Sequence, residues 1–267
     1  MLIAAQAAVA AIVAAAYLAR VHAMRRSPEA PPRWRVLCFC AGIATAIAAV
    51  ATLEGPGREL VYLATLQQLL IGDLATLLIA LGLTAPLLRP LGGVPLLSRL
   101  RVLALPAVAL VLWTVDTAVW RLPAPYEAAL DHRSLMLVQH LLSAAVGIAV
   151  WVALIGPGAV ERWAERHGLW LGCALFWRAL LVALGIVGIV SPIVFYSHYI
   201  HTDVSHTISP LSDQGIAGSI LIGESAIAAI GLLLLIYFRL GEGSSAGKRP
   251  PGPSAADAST QRVANAA

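Results

Sequence analysis

Seven long apolar stretches, separated by short polar connections, dominate the sequence. Inside lipid each stretch must be helical, because every backbone amide needs a partner within its own segment. About 20 apolar residues are enough for a helix to cross the hydrocarbon core. The pattern therefore predicts an all-α fold, a polytopic bundle of seven transmembrane helices. The stretches are Leu2–Leu18, Val36–Leu53, Leu60–Leu83, Val102–Val119, Leu135–Ile155, Leu169–Phe195 and Ala217–Phe238.

Composition agrees with a membrane protein, since 59% of the 267 residues are hydrophobic and only 12% are charged. An average soluble domain has about 25% charged residues. The net charge of +4 does not indicate a nucleic-acid partner, because no segment mixes dense Lys and Arg with aromatic residues. Three cysteines are too few for a disulfide framework. We therefore expect the lipid bilayer to surround most of the chain.

The distribution of cations predicts the topology. Alternate connections and the C-terminal end carry fourteen Lys and Arg residues, whereas the opposite connections carry only Arg58, Arg121 and Arg133. Cations concentrate on the cytoplasmic side. We therefore predict a multi-pass protein of the cell (plasma) membrane with its N-terminus outside and its C-terminus in the cytoplasm. The fourteen are Arg20, Arg25, Arg26, Arg33, Arg35, Arg89, Arg99, Arg101, Arg162, Arg166, Arg239, Lys248, Arg249 and Arg262.

The two ends of the chain differ in character. Leu2–Leu18 has the apolarity of a signal peptide, but no Lys or Arg precedes it, and a signal peptide needs a positive N-terminal region. We therefore predict a retained first span. Residues 241–267 are rich in Gly, Ser, Pro and Ala and have no apolar face. The sequence thus predicts one membrane domain, residues 1–240, and a disordered cytoplasmic tail, residues 241–267.

Candidate chemistry concentrates in the connection from Tyr196 to Gln214. This segment has three of the seven histidines and neither Lys nor Arg. In the predicted topology it faces outward, together with the connection before the fifth span and the first turns of that span. Imidazole is a ligand for copper, zinc and iron when it is neutral. The predicted metal set on the outer face is His132, His140, His198, His201, His206 and Asp213.

Other interpretations of this set stay open. The histidines match no compact zinc signature and are also explained as ordinary polar residues at the membrane interface. Asp213 is interpreted as a partner that orients a ligating imidazole or as an acid that favours the N-terminus of its own helix. Ser209-Pro210 predicts the start of that helix. Gly215, Gly218 and Gly223 predict close packing of it against a neighbour.

Three charged residues fall inside apolar stretches. Asp73, Arg178 and Glu224 lie about nine to twelve residues into their spans, which places all three near the middle of the membrane at 1.5 Å per residue. Charges at that depth are costly and are normally paired. We predict that Arg178 pairs with Glu224 or Asp73, either as a structural salt bridge or as part of a proton or ion path.

Two sequence segments and one short run are distinctive. The first segment is Trp120-Arg-Leu-Pro-Ala-Pro-Tyr126, followed by Gln139-His140 and Trp151. The second is Ser209-Pro-Leu-Ser-Asp-Gln-Gly-Ile-Ala-Gly218, and an Arg-Trp-Arg run stands at Arg33–Arg35. Together they resemble the CtaG family of membrane-bound cytochrome c oxidase assembly factors. The resemblance covers most of residues 17–240. It implies a role in maturing a heme-copper oxidase, with oxidase subunits as partners and copper as the metal handled.

The chain departs from that family in its third span. The family motif there is His-Met-x-Gln-His, whereas this chain has Thr65-Leu66-Gln67-Gln68-Leu69, which keeps a Gln and lacks both histidines. If those histidines are metal ligands in the family, this protein binds metal differently or keeps only the scaffold.

Two alternative functions belong to other classes. One is a membrane redox protein that holds heme b through His140 and a histidine of the 196–214 connection. The other is a proton- or ion-coupled transporter that uses Asp73, Arg178 and Glu224. No nucleotide-binding loop, Ser nucleophile motif or HExxH motif occurs in the sequence, so we do not expect an enzyme.

Overall fold

The computed structural model describes residues 2–89, 105–156, 167–200 and 207–246. Over these ranges the chain is helical and has no strand, so the all-α prediction is confirmed. A one-turn helix at Ala85–Leu88 and a 3₁₀ turn at Ser197–Ile200 lie in connections. The longer helices are α1 (Leu2–Ala23), α2 (Arg33–Gly57), α3 (Val61–Gly82), α4 (Pro106–Arg121), α5 (Pro123–Asp131), α6 (Arg133–Ile155), α7 (His167–Val190) and α8 (Pro210–Ala246).

Helix length and apolarity show a multi-pass membrane protein. Five helices of the described ranges are long and apolar enough to cross a membrane. Helices α4 and α5 meet at a bend of 72° and count as a sixth span if they form one broken segment, and Ala174–Val190 of α7 is a shorter apolar helix. The five are Ala4–Ala23, Arg33–Leu53, Val61–Gly82, Arg133–Ile155 and Pro210–Leu234.

Prolines mark where several helices begin. Pro106, Pro123 and Pro210 are the first residues of α4, α5 and α8, a position where the missing N–H costs no hydrogen bond. Leu122 precedes Pro123 and is extended, with φ −70° and ψ 139°, because the proline ring disfavours the helical region for the residue before it. This pair of residues produces the bend between α4 and α5.

The predicted start of α8 is confirmed. Ser212 N–H donates to Ser209 Oγ at 3.2 Å, which is an N-cap bond to the residue before Pro210. Residues 1–225 form one compact unit, and the contacts below all lie within it. Residues 226–246 of the second unit continue α8, and residues 247–267, most of the predicted tail, lie outside the described ranges. Disorder of the tail stays a prediction.

One end of the bundle is fixed by aromatic and backbone contacts among α1, α2 and α3. The rings of Tyr17 and Phe39 stack with centroids 3.7 Å apart, and Tyr17 Oη donates to Gly82 O at 3.0 Å. Arg35 Nη1 donates to Leu81 O and Leu83 O at 3.1 and 3.0 Å. These carbonyls lie at the end of α3, where no further turn of helix supplies donors.

Two close helix contacts require glycine. A Cβ on Gly147 of α6 would overlap the carbonyl oxygen of Gly72 in α3. A Cβ on Gly185 of α7 would lie 2.6 Å from Gly218 O in α8. The prediction of close packing is therefore confirmed at Gly218, whereas Gly215 and Gly223 have no described atom within 4 Å of the corresponding position.

Helix α3 has one π-helical turn, Leu70–Leu74, between two α-helical segments. Thr76 Oγ1 donates to the carbonyls of Gly72 and Asp73 at 2.7 and 2.9 Å, so a side chain from the next turn bonds to the π turn. A π turn rotates the side chains that follow it, and such turns are frequent at functional sites. Here the turn contains Asp73 at the centre of the bundle.

Candidate functional site

A buried acid–arginine cluster, defined as Asp73, Arg178 and Glu224, joins three helices. Arg178 Nη1 of α7 donates to Asp73 Oδ2 of α3 at 2.8 Å and to Glu224 Oε1 of α8 at 2.7 Å. The side chains of Arg178 and Asp73 are only 4% and 9% exposed. The prediction that Arg178 pairs with one of the two acids is confirmed, and it pairs with both.

Tryptophans enclose the cluster. Trp151 Nε1 of α6 donates to Asp73 Oδ1 at 2.9 Å, so both oxygens of that carboxylate are bonded. The guanidinium carbon of Arg178 lies 3.7 Å from the ring centroid of Trp177, and Trp177 contacts Trp151 edge-on at 5.1 Å. An arginine over an indole face gains cation–π attraction, most strongly where water is excluded. The cluster is therefore a desolvated junction of α3, α6, α7 and α8.

A polar cavity of about 60 Å³ separates Asp73 from a second buried acid, Asp116 of α4. Asp116 Oδ1 accepts from Trp120 Nε1 at 2.9 Å, and Oδ2 accepts from Ser143 Oγ at 2.8 Å. The cavity is large enough for a few water molecules. Gln68 and Arg121 line it as well, so a cavity with several polar side chains extends from Asp73 to the end of α4.

The other end of the bundle is called the His198 end and is defined by the α2–α3 turn (residues 58–60), α5 and Ser197–Ile200. A tyrosine pair fixes it. Tyr199 Oη donates to Gly57 O at 2.8 Å, and Tyr126 Oη donates to the Tyr199 oxygen at 2.8 Å. Burial raises the pKa of the Tyr199 phenol, so the proton that bonds to Gly57 is retained.

The 3₁₀ turn is also held by its polar residues. Glu127 of α5 accepts from Ser197 Oγ at 2.9 Å and from His198 N–H at 3.3 Å. His198 Nε2 donates to Arg58 O at 3.0 Å, while the Arg58 guanidinium donates to Leu130 O. Sequence patterns did not point to Glu127 or Arg58 as partners, because 70 to 140 residues separate these groups along the chain.

Asp213 binds the start of another helix. Its Oδ2 accepts from Val61 N–H at 2.7 Å and its Oδ1 accepts from Tyr62 N–H at 2.9 Å. The N-cap residue of α3, Leu60, has no side chain that can do this. A carboxylate at a helix N-terminus satisfies free amides and favours the positive end of the helix dipole. Asp213 is 2% exposed, so it fastens α8 to α3.

The structure places three of the five predicted histidines. His132 is exposed, and its Nδ1 donates to Ala128 O at 3.1 Å. His140 is buried in α6, with Nδ1 2.9 Å from Gln6 Nε2 of α1. His198 is bonded to Arg58 O as above, and each of these contacts involves only one ring nitrogen. His201 and His206 lie outside the described residues.

No group of three or more His, Cys, Asp or Glu residues suited to a metal ion occurs in the part of the chain that the structure describes. Asp213 is engaged with α3, and His132 and His198 are each fixed through one nitrogen by a backbone carbonyl. Such a bond to one ring nitrogen is also what orients a ligating imidazole. The set His132, His140, His198, His201, His206 and Asp213 therefore stays a prediction.

Comparison with known proteins gives one match. The family model described as cytochrome c oxidase caa3 assembly factor (Caa3_CtaG) matches residues 15–241. This range contains the acid–arginine cluster, the tyrosine pair and Asp213. No curated protein matches the chain, and no solved structure does.

Proposed function

Because the chain belongs to the Caa3_CtaG family of cytochrome c oxidase caa3 assembly factors, we propose that it supplies copper to a heme-copper oxidase while that enzyme is assembled. The family match over residues 15–241 is the observation that carries this proposal. The role is that of an accessory protein that binds oxidase subunits and carries metal, without catalysing a reaction of its own.

In the proposed topology the chain crosses the plasma membrane seven times, with the N-terminus outside and the C-terminus in the cytoplasm. The cation distribution supports it, with fourteen Lys and Arg on one side and three on the other. Helix α4 then rises to the outer face, α5 lies along that face, and α6 returns. This arrangement places the His198 end outside, on the side where an oxidase subunit with an exposed copper site would be met.

The rigidity of the His198 end supports a docking role. Asp213, Glu127 and the tyrosine pair tie α2, α3, α5, α8 and the 3₁₀ turn together. A surface that is fixed before binding loses less conformational entropy when a partner binds. Exposed His132 and Arg133 stand beside these fixed elements and supply polar contacts. We propose copper exchange at this same end, where His132 and His198 of the predicted metal set lie.

The acid–arginine cluster supports the structural alternative over the transporter. Both oxygens of Asp73 are bonded, and Arg178 bridges two acids within a shell of tryptophans. Breaking such a junction to move an ion would expose unpaired charges at the centre of the membrane, which is costly. We propose that the cluster fixes the packing of α3, α7 and α8.

Deletion of the gene tests the proposed function. We expect membranes from the deletion strain to lose most of their cytochrome c oxidase activity, while another respiratory enzyme measured in the same membranes keeps its activity. Expression of the chain from a plasmid should restore the oxidase. Undiminished oxidase activity in the deletion strain would refute the proposed function.

A further inference from the structure

A small cavity of about 20 Å³ lies beneath the α2–α3 turn, between α3, α5 and α6. It has room for about one water molecule or ion. A thioether, an imidazole and three carboxamides meet around it, and its rim is formed by Gly57 and Arg58 of the α2–α3 turn. The side chains that give it chemical character are Gln67, Gln68, Met136, Gln139 and His140.

Gln67, Met136, Gln139 and His140 are buried, and Gln68 is half-buried. Met136 and His140 are each 6% exposed and Gln139 is 4% exposed. The Gln139 amide makes no hydrogen bond to any residue that the structure describes, although it lines the cavity. Buried amides are normally bonded, because loss of water without a replacement costs free energy. The Gln139 amide is therefore available to bond an occupant of the cavity.

We propose that this cavity is a binding site for a single Cu(I) ion, held by the Met136 sulfur and the His140 imidazole. The proposal rests on the copper role given under the proposed function and adds the ligands. Thioether and imidazole are ligands that suit Cu(I). No thiolate or carboxylate lines the cavity, and Arg58 contributes a positive charge at its rim. A monovalent ion is repelled less by that charge than a divalent one.

The carboxamides complete the site as oxygen donors and as positioning groups. Gln139, Gln67 and Gln68 offer carbonyl oxygens to a cation and are uncharged, so they add no repulsion. Gln67 Nε2 already donates to Ala49 O at 3.4 Å, which leaves its oxygen as the group free to turn inward.

Gln6 of α1 is a positioning residue for His140. Its carboxamide nitrogen lies 2.9 Å from His140 Nδ1, and its buried oxygen has no described partner. Rotation of the amide by 180° places the oxygen at Nδ1, where it accepts the ring proton. The imidazole then keeps its proton on Nδ1 and presents the Nε2 lone pair for metal binding, as a second ligand shell commonly arranges.

The connection after α7 forms the cover of this cavity. Tyr199 binds the Gly57 carbonyl and His198 binds the Arg58 carbonyl, both at the rim. His198, one of the predicted ligands, therefore lies next to the rim of the cavity.

Titration of the full chain with Cu(I), in detergent and against a chromophoric Cu(I) chelator, tests the site. We expect one Cu(I) per chain. Met136→Leu and His140→Leu should each weaken binding about tenfold or more, since loss even of outer-shell partners costs 10–100-fold. His22→Leu is the matched control, because His22 is exposed, does not line the cavity and is not in the predicted metal set, and it should bind as the parent does. Gln6→Leu should weaken binding with both ligands intact.

X-ray absorption by the Cu(I)-loaded parent protein gives a second measurement. It needs no substitution, so its result does not depend on whether a variant folds. We expect both a sulfur and a nitrogen scatterer around copper. The proposal is overturned if copper has no sulfur neighbour, if Cu(I) does not bind at one ion per chain, or if Met136→Leu binds as the parent does. It is also overturned if His198→Ala loses binding while His140→Leu keeps it.

The outcomes for the site and for the assembly role can be told apart. If the oxidase requires the chain in cells and Cu(I) still does not bind, the site is wrong and the assembly role stands. If Cu(I) binds and the oxidase is unaffected by deletion, the assembly role fails.

Discussion

At the scale of single residues, charge neutralisation in the membrane interior decides the arrangement. Arg178 is one guanidinium shared by two acids from different helices, and its ring contact with Trp177 substitutes for water. Depth counting along the sequence was enough to predict this pairing, because helix geometry fixes the rise per residue. The contacts of Trp151 and Trp177 with the cluster were not predictable. In a helix that is apolar on all sides, the sequence pattern does not show which neighbouring helix a side chain faces.

Removal of Arg178 should destabilise the protein. Arg178→Leu leaves Asp73 and Glu224 buried without their cation, and loss of one partner of a buried pair costs about 3–5 kcal/mol in soluble proteins. We expect a lower melting temperature in detergent and less protein in the membrane. Arg133→Leu is the control, because Arg133 is exposed and such changes usually stay within about 0.5 kcal/mol. Equal melting temperatures for the two variants would show that the cluster does not stabilise the protein.

Asp213 should be needed as a carboxylate. In Asp213→Asn one of the two acceptors facing Val61 and Tyr62 is replaced by an amide donor, so one buried N–H loses its bond, at a cost of about 1–3 kcal/mol. We expect a lower melting temperature and faster hydrogen exchange at the start of α3. Asp131→Asn, at an exposed acid at the end of α5, should leave both unchanged. Parent-like exchange at Val61 and Tyr62 in Asp213→Asn would contradict the assigned role.

At the scale of helices, the apolar stretches predicted where helices occur, but they did not predict which residues join one helix to another. Every predicted stretch overlaps a helix, because lipid permits no other structure for it. The bend between α4 and α5 has a visible signal in Pro123, whereas Asp213 as the cap of α3 has none, since 151 residues separate it from Tyr62. The absence of a capping side chain at Leu60 is a hint, but it does not name the residue that replaces it.

Glycine at position 147 should be indispensable for the contact of α6 with the π turn of α3. Gly147→Ala forces its methyl group against Gly72 O, and overpacking of this kind costs about 1–3 kcal/mol. We expect a clear drop in melting temperature. Gly223→Ala is the matched control, because it meets no described atom within 4 Å and alanine favours a helix by about 0.5–1 kcal/mol over glycine. A Gly147→Ala protein as stable as Gly223→Ala would contradict the close contact.

At the scale of the whole molecule, the distribution of cations predicts which end faces outward. A cysteine-free variant with Thr207→Cys should react with a membrane-impermeant thiol reagent in intact cells. The same background with Ser245→Cys should react only after lysis. Labelling of Ser245→Cys but not Thr207→Cys in intact cells would reverse the topology and place the His198 end in the cytoplasm.

The candidate site was predicted in part. The histidine set was predicted from its position in connections that the cation distribution assigns to the outer side, and the resemblance to the family came from short motifs in the sequence. His201 and His206 lie outside the described residues, so their part in the metal set stays a prediction. Met136 carries no local signal as a ligand, because a methionine in an apolar helix has the same pattern as a packing residue. Met136 and His140 are four residues apart on α6 and so share a helix face, and only the three-dimensional meeting of α3 and α6 adds Gln67 and Gln68.

The copper content of the oxidase purified from cells that lack this chain tests the central claim most directly. Copper is measured per heme, beside oxidase from the parent strain and from the deletion strain complemented with the chain. We predict oxidase that retains heme but contains less copper than the parent enzyme, with the normal ratio restored on complementation. A full complement of copper per heme in the deletion strain would contradict the claim that the chain supplies copper during assembly.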